Sequence, residues 1–257
     1  MLDALAARLA ERHRVVSMSS RLASAPPGSE HGEQSPKVYA EDTVGLIEAL
    51  FDEPPTVFAF SAAAITTLEL LTRYPDHLRL AIVHEPPVLG LLPDAERQRT
   101  AIEAVRTAAR AEGPGEAARL MTEIMTTLAP IADAPQLRHP GDWFEGYAET
   151  SPEPPTPELL EVFAGLSALQ PVFLERILVP FTTNDVDLAA LRAVAPRLVP
   201  VAGIDSCGQL PYRAAAALAV GLGVPLTEVP GGHLGPVERP GQFAAALETL
   251  EALPAGG

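Results

Sequence analysis

Thr56-Val57-Phe58-Ala59-Phe60-Ser61-Ala62-Ala63-Ala64 decides how the rest of this chain is read. Five residues rich in β-branched and aromatic side chains predict a buried strand, and the alanine-rich stretch to Tyr74, stopped by Pro75, predicts a helix. Ser61 stands at the junction. A serine in a tight strand-to-helix turn exposes its hydroxyl, with the positive end of the helix behind it. The plainer alternative is a helix N-cap, a role serine also fills well.

Working outward, the same alternation recurs. A helix built on Leu2, Leu5 and Leu9 leads into the apolar run Arg14–Met18, and a Pro/Gly/Ser-rich loop is expected over Ala23–Pro36. A further helix ends near Leu50. Strands are predicted at Leu80–Val83, Leu198–Ala202 and Pro225–Val229, with helices at Asp187–Val194, Pro211–Leu222 and Gln242–Leu253. Strands alternating with helices argue for a mostly parallel sheet flanked by helices, an α/β fold. Between Pro86 and Pro180 strand signals vanish, and helices are expected at Asp94–Glu112, Glu116–Leu128 and Pro157–Leu169. The reading is therefore a core of residues 1–85 and 181–257 with a helical cap of residues 86–180.

Composition narrows the partners. The 257 residues carry 33 Asp and Glu against 18 Lys and Arg, a formal charge of −15, which repels phosphate backbones and anionic lipid and excludes nucleic acid and membrane surfaces as expected partners. No run of about 18 apolar residues occurs, so no transmembrane span is expected. Charged residues from Asp3 to Arg14 interrupt the apolar region an export signal needs, and the single Cys207 suits a reducing, cytoplasmic setting.

Two further residues fall where strands end. His233 lies in Gly231-Gly232-His233-Leu234-Gly235, and Asp205 follows Val201-Ala202-Gly203-Ile204. In a parallel sheet such positions converge on one crevice. Ser61 as nucleophile, His233 as base and Asp205 as the carboxylate that orients the imidazole form a coherent constellation. Glu85, at the end of another strand, is the alternative acid, and His84 beside it is read as structural. Asn184-Asp185-Val186-Asp187 is read as a helix-capping loop rather than a metal site, and Cys207 as a small side chain.

With Phe58–Ala64, Val83-His84-Glu85-Pro86-Pro87, Pro230-Gly231-Gly232-His233 and Arg239-Pro240 in view, the chain resembles the α/β-hydrolase superfamily over nearly its whole length. The resemblance implies an eight-stranded, mostly parallel sheet, a helical cap and a triad in the order Ser61, Asp205, His233, with the Ala62 amide as one oxyanion donor. The sequence departs from the family in two ways. The Gly-x-Ser-x-Gly elbow reads Ala59-Phe60-Ser61-Ala62-Ala63. The family's first three strands have no counterpart, which removes the loop that usually supplies the second oxyanion amide and leaves backbone groups unpaired beside the elbow strand. A chain start placed too late, a rearranged sheet and a partner chain over the gap each account for this.

The expected function is hydrolysis of an ester, lactone or thioester of a small, largely apolar substrate, with no cofactor and no metal. The pocket would involve Phe60, Met121, Met125 and Trp143. The alternatives are a lyase, isomerase or cyclase using His233 and Asp205 for proton transfer, and a non-catalytic ligand-binding protein. An uncovered sheet edge favours a homodimer.

Overall fold

The computed structural model describes residues 2–21, 34–131, 135–145, 147, 160 and 170–252. Among them a five-stranded sheet runs β1 (Thr56–Phe60), β2 (Leu80–His84), β4 (Leu198–Gly203), β5 (Leu226–Val229), β3 (Leu137–Arg138) in spatial order. Every pairing is parallel. Four strands stand where the apolar runs predict them. The fifth, β3, corrects the expectation of a strand-free segment between Pro86 and Pro180. Two residues carry no periodicity, and only their pairing with Leu226 and Thr227 makes them a strand.

Helices cover both faces because alternate strand residues point to opposite sides. Ala81 and Val83 of β2 join a core built with α2 (Pro36–Leu50), α3 (Ala62–Arg73), α8 (Leu188–Ala193) and α9 (Leu210–Leu222). Leu80 and Ile82 face the other way, onto α1 (Asp3–Leu9) and α11 (Pro240–Ala252). The helices α4 (Ala95–Ala111) and α5 (Pro114–Thr126) share a separate apolar core with Leu174, Leu178 and Val179. The remaining short helical elements are α6 (Pro140–Trp143), a π-helical turn over Phe173–Ile177, α7 (Leu178–Thr182) and α10 (Gly235–Glu238). All but Leu160 of the helix expected at Pro157–Leu169, and most of the loop expected at Ala23–Pro36, lie outside the described residues.

Strand β1 is at the edge of the sheet. The Ser61 N–H donates to the His84 carbonyl at 2.9 Å on the β2 side. Alternation along the strand therefore turns the N–H groups of Phe58 and Phe60 to the opposite side, where no strand lies among the described residues. Arg14 to Ser20 has no regular structure there. With β1 they line a cleft of about 1480 Å³.

Candidate active site

Ser61 terminates β1 with φ 54° and ψ −130°. A residue with a Cβ is strained in that region, and holding it there costs ~1–3 kcal/mol. No hydrogen bond from the Ser61 side chain caps α3, so the plain N-cap role is not how the hydroxyl is used. It lines the cleft, with Ala62 as the first residue of the twelve-residue helix behind it.

Parallel register sets what lies opposite. Phe60 pairs with His84, so Ser61 and Glu85 leave neighbouring strands at the same level. Glu85 also has a positive φ, 46°, and is fully buried. Its Oε2 accepts the Nδ1–H of His233 at 2.8 Å, and its Oε1 accepts the Gly203 N–H at 2.9 Å and the Ser206 hydroxyl. Burial alone would raise its pKa, but the hydrogen bond from His233, the electrostatic influence of the neighbouring His84 and His233 rings and the hydrogen bond from Ser206 together hold the carboxyl below the usual glutamate value.

His233 reaches this carboxylate because its loop lies directly on the end of β4. A Cβ at Gly203 would come within 2.4 Å of the Gly231 carbonyl and 2.7 Å of Gly232 Cα, so only glycine permits the approach. Gly231 takes φ +88° to make the turn. Gly203→Ala is accordingly expected to displace the His233 loop, lower the thermal midpoint by several degrees and cut turnover at least a hundredfold. An unchanged midpoint in a thermal melt would refute that account.

The orienting role expected at Asp205 is taken in the structure by Glu85, and the Asp205 carboxylate bonds Arg239 instead of His233. The Asp205 side chain is half exposed, and its bond to Arg239 is 3.0 Å long. Asp205 starts one residue into a 3₁₀ turn, which swings its carboxylate outward and brings the next residue, Ser206, onto Glu85. In the structure β1 and β2 are five residues each and pair in register from Thr56–Leu80 to Phe60–His84, which sets the two strand ends level; the shorter strand read from the sequence, Leu80–Val83, did not show this.

Phe60, Met121 and Met125 line the cleft with Ser61 and His233. Trp143 does not. Pairing of β3 with β5 carries residues 137–144 to the far edge of the sheet, where Trp143 stacks on Phe144 and packs near Val199 and Phe243. The Asn184–Asp187 loop does cap a helix, since the Asp187 carboxylate accepts the Ala190 N–H at 2.9 Å. His84, Glu85 and His233 offer possible metal-ligand atoms within 4.8 Å of one another. In this structure those donors are turned inward: His233 bonds Glu85, and His84 faces two backbone carbonyls. Cys207 is exposed, and no helix among the described residues is long and apolar enough to cross a membrane.

No family model matches the sequence. The uncharacterized hydrolase YraK of Bacillus subtilis is 26% identical over 218 residues, covering 83% of this chain and 69% of that protein. Among solved structures, a thermophilic esterase from Thermogutta terrifontis superposes with a TM-score of 0.59 at 18% identity, over 86% of this chain and 73% of that one. An α/β-hydrolase enzyme from a deep-sea metagenome library, MGS-M2, gives 0.57 at 16% identity, over 87% and 74%. What these structures share with the chain is the layering of a parallel sheet between helices, and that layering is the α/β-hydrolase fold.

Proposed function

We propose that the protein is a serine hydrolase acting on an ester, lactone or thioester of a small, largely apolar molecule, with Ser61, His233 and Glu85 as its triad. The reading rests on one observation above all: His233 Nδ1 is bonded to a buried carboxylate at 2.8 Å while the imidazole and the strained Ser61 line the same cleft. The hydrolase and esterase relatives support it.

In this mechanism Ser61 Oγ attacks the substrate carbonyl carbon and its proton passes to His233 Nε2. Glu85 accepts from Nδ1–H, fixing the tautomer that leaves Nε2 free as base, and stabilises the imidazolium once formed. The Ala62 amide, at the positive end of α3, donates to the oxyanion. Collapse expels the alcohol or thiol, which takes the proton from Nε2. Water, deprotonated by the same nitrogen, then releases the acid and restores the hydroxyl. The largely apolar cleft walls, which include Met121 and Met125, suit an acyl chain better than a charged group.

Exposure to a fluorophosphonate, with mass-spectrometric mapping, is expected to modify Ser61 in the wild-type protein and not in His233→Ala. Alongside it, p-nitrophenyl esters from acetate to decanoate should be turned over. An unlabelled Ser61 together with no ester turnover would end the proposal. Substrate turnover retained in Ser61→Ala but lost in His233→Ala would favour the proton-transfer alternative.

A further inference from the structure

His84 is the one fully buried imidazole beside the triad that the mechanism above does not use. Its Nε2 lies 3.2 Å from the carbonyl oxygens of both Gly232 and His233. Both neighbours are acceptors, so Nε2 carries the proton. The other ring nitrogen, Nδ1, is buried with no hydrogen-bond partner among the described residues. Protonating it would create a buried donor without an acceptor, a worse state than a bare lone pair. Burial accordingly pushes the His84 pKa below the usual imidazole value, although the neighbouring Glu85 carboxylate acts in the opposite direction.

The ring is also held from its sides. It lies nearly parallel to the His233 imidazole, with centroids 6.3 Å apart and planes 23° from coplanar, and meets Phe243 edge-on at 5.3 Å. The main chain of the same residue accepts the Ser61 N–H. One residue thus ties the backbone of the nucleophile to the backbone of the base, while the next residue, Glu85, bonds the base's side chain.

We propose that His84, as the neutral Nε2–H tautomer, is a positioning residue: by donating to the Gly232 and His233 carbonyls it sets where the His233 imidazole sits between Glu85 and Ser61. The inference rests on the hydrolase reading for its kinetic consequence but not for its tautomer. Removing the donor would let the glycine-rich loop drift, and misplacing a general base by about 1 Å costs on the order of 10²-fold in rate.

The test pairs two variants of similar bulk. His84→Phe removes the donor, and His84→Gln keeps an N–H near the position of Nε2. On the best ester substrate, His84→Phe is expected to lower kcat 30- to 100-fold with KM changed less than threefold, while His84→Gln recovers most of the loss. Imidazole ¹⁵N NMR of the wild type is expected to show His84 with the proton on Nε2, and still neutral at a pH where a free imidazole is protonated. Equal kcat in His84→Phe and wild type would overturn the proposal, as would His84→Gln being no better than His84→Phe at equal thermal midpoints. An Nδ1–H tautomer would overturn it independently of activity. A wild-type protein without hydrolase activity that still shows the Nε2–H tautomer would instead count against the hydrolase reading alone, with the loop-pinning then read from loss of the downfield His233 Nδ1–H resonance in His84→Phe.

Discussion

Replacing Ser61 by glycine is expected to end ester turnover and stabilise the protein at once. The loss of rate should be about 10⁵- to 10⁶-fold, the scale seen when the nucleophile of a serine triad is removed. The gain comes from the backbone. At φ 54° and ψ −130° a serine is strained and a glycine is not. Relief of ~1–3 kcal/mol, less ~0.5–1 kcal/mol for the extra freedom of glycine in the unfolded chain, leaves about 1 kcal/mol. For a domain of this size that raises the thermal midpoint by ~2–4 °C. Ser61→Ala should lose the same activity without the gain, which separates strain from chemistry. A midpoint lowered in Ser61→Gly would show that the turn is not strained, and surviving turnover would remove Ser61 from the mechanism.

The second large effect separates two carboxylates. Glu85→Gln is expected to lower kcat by about 10⁴-fold, because an amide facing Nδ1 no longer selects the tautomer with Nε2 free and cannot stabilise an imidazolium. Asp205→Asn should stay within threefold of wild type. Its carboxylate is half exposed and paired with Arg239, a kind of contact worth ~0–1 kcal/mol, while the imidazole Nδ1 is bonded to Glu85. Steady-state kinetics on both variants decides the matter: a crippled Asp205→Asn beside a healthy Glu85→Gln would return the acid's role to Asp205.

That contrast also shows how far sequence reading reaches. Strand positions were legible because buried parallel strands are short apolar runs, and β1, β2, β4 and β5 stand where those runs lie. Ser61, His233 and Glu85 were legible as residues at strand ends, but the choice between Glu85 and Asp205 was not. It depends on which strand lies next to β1 and on the outward swing of one 3₁₀ turn, both tertiary facts. Trp143 was misplaced for a related reason. An aromatic residue in a helical insertion suggests a pocket, yet two residues of pairing at Leu137–Arg138 carry it to the opposite side of the sheet from Ser61.

The open side of β1 ties handling to function. Among the described residues no strand meets the amides of Phe58 and Phe60, and an open edge of this kind is a template for extending the sheet, one residue before the nucleophile. The surplus of 15 negative charges works as a gatekeeper against copies of the chain annealing along that rim, and salt weakens it by screening. Association along this rim is therefore expected to rise with ionic strength, on the same strand that leads into Ser61.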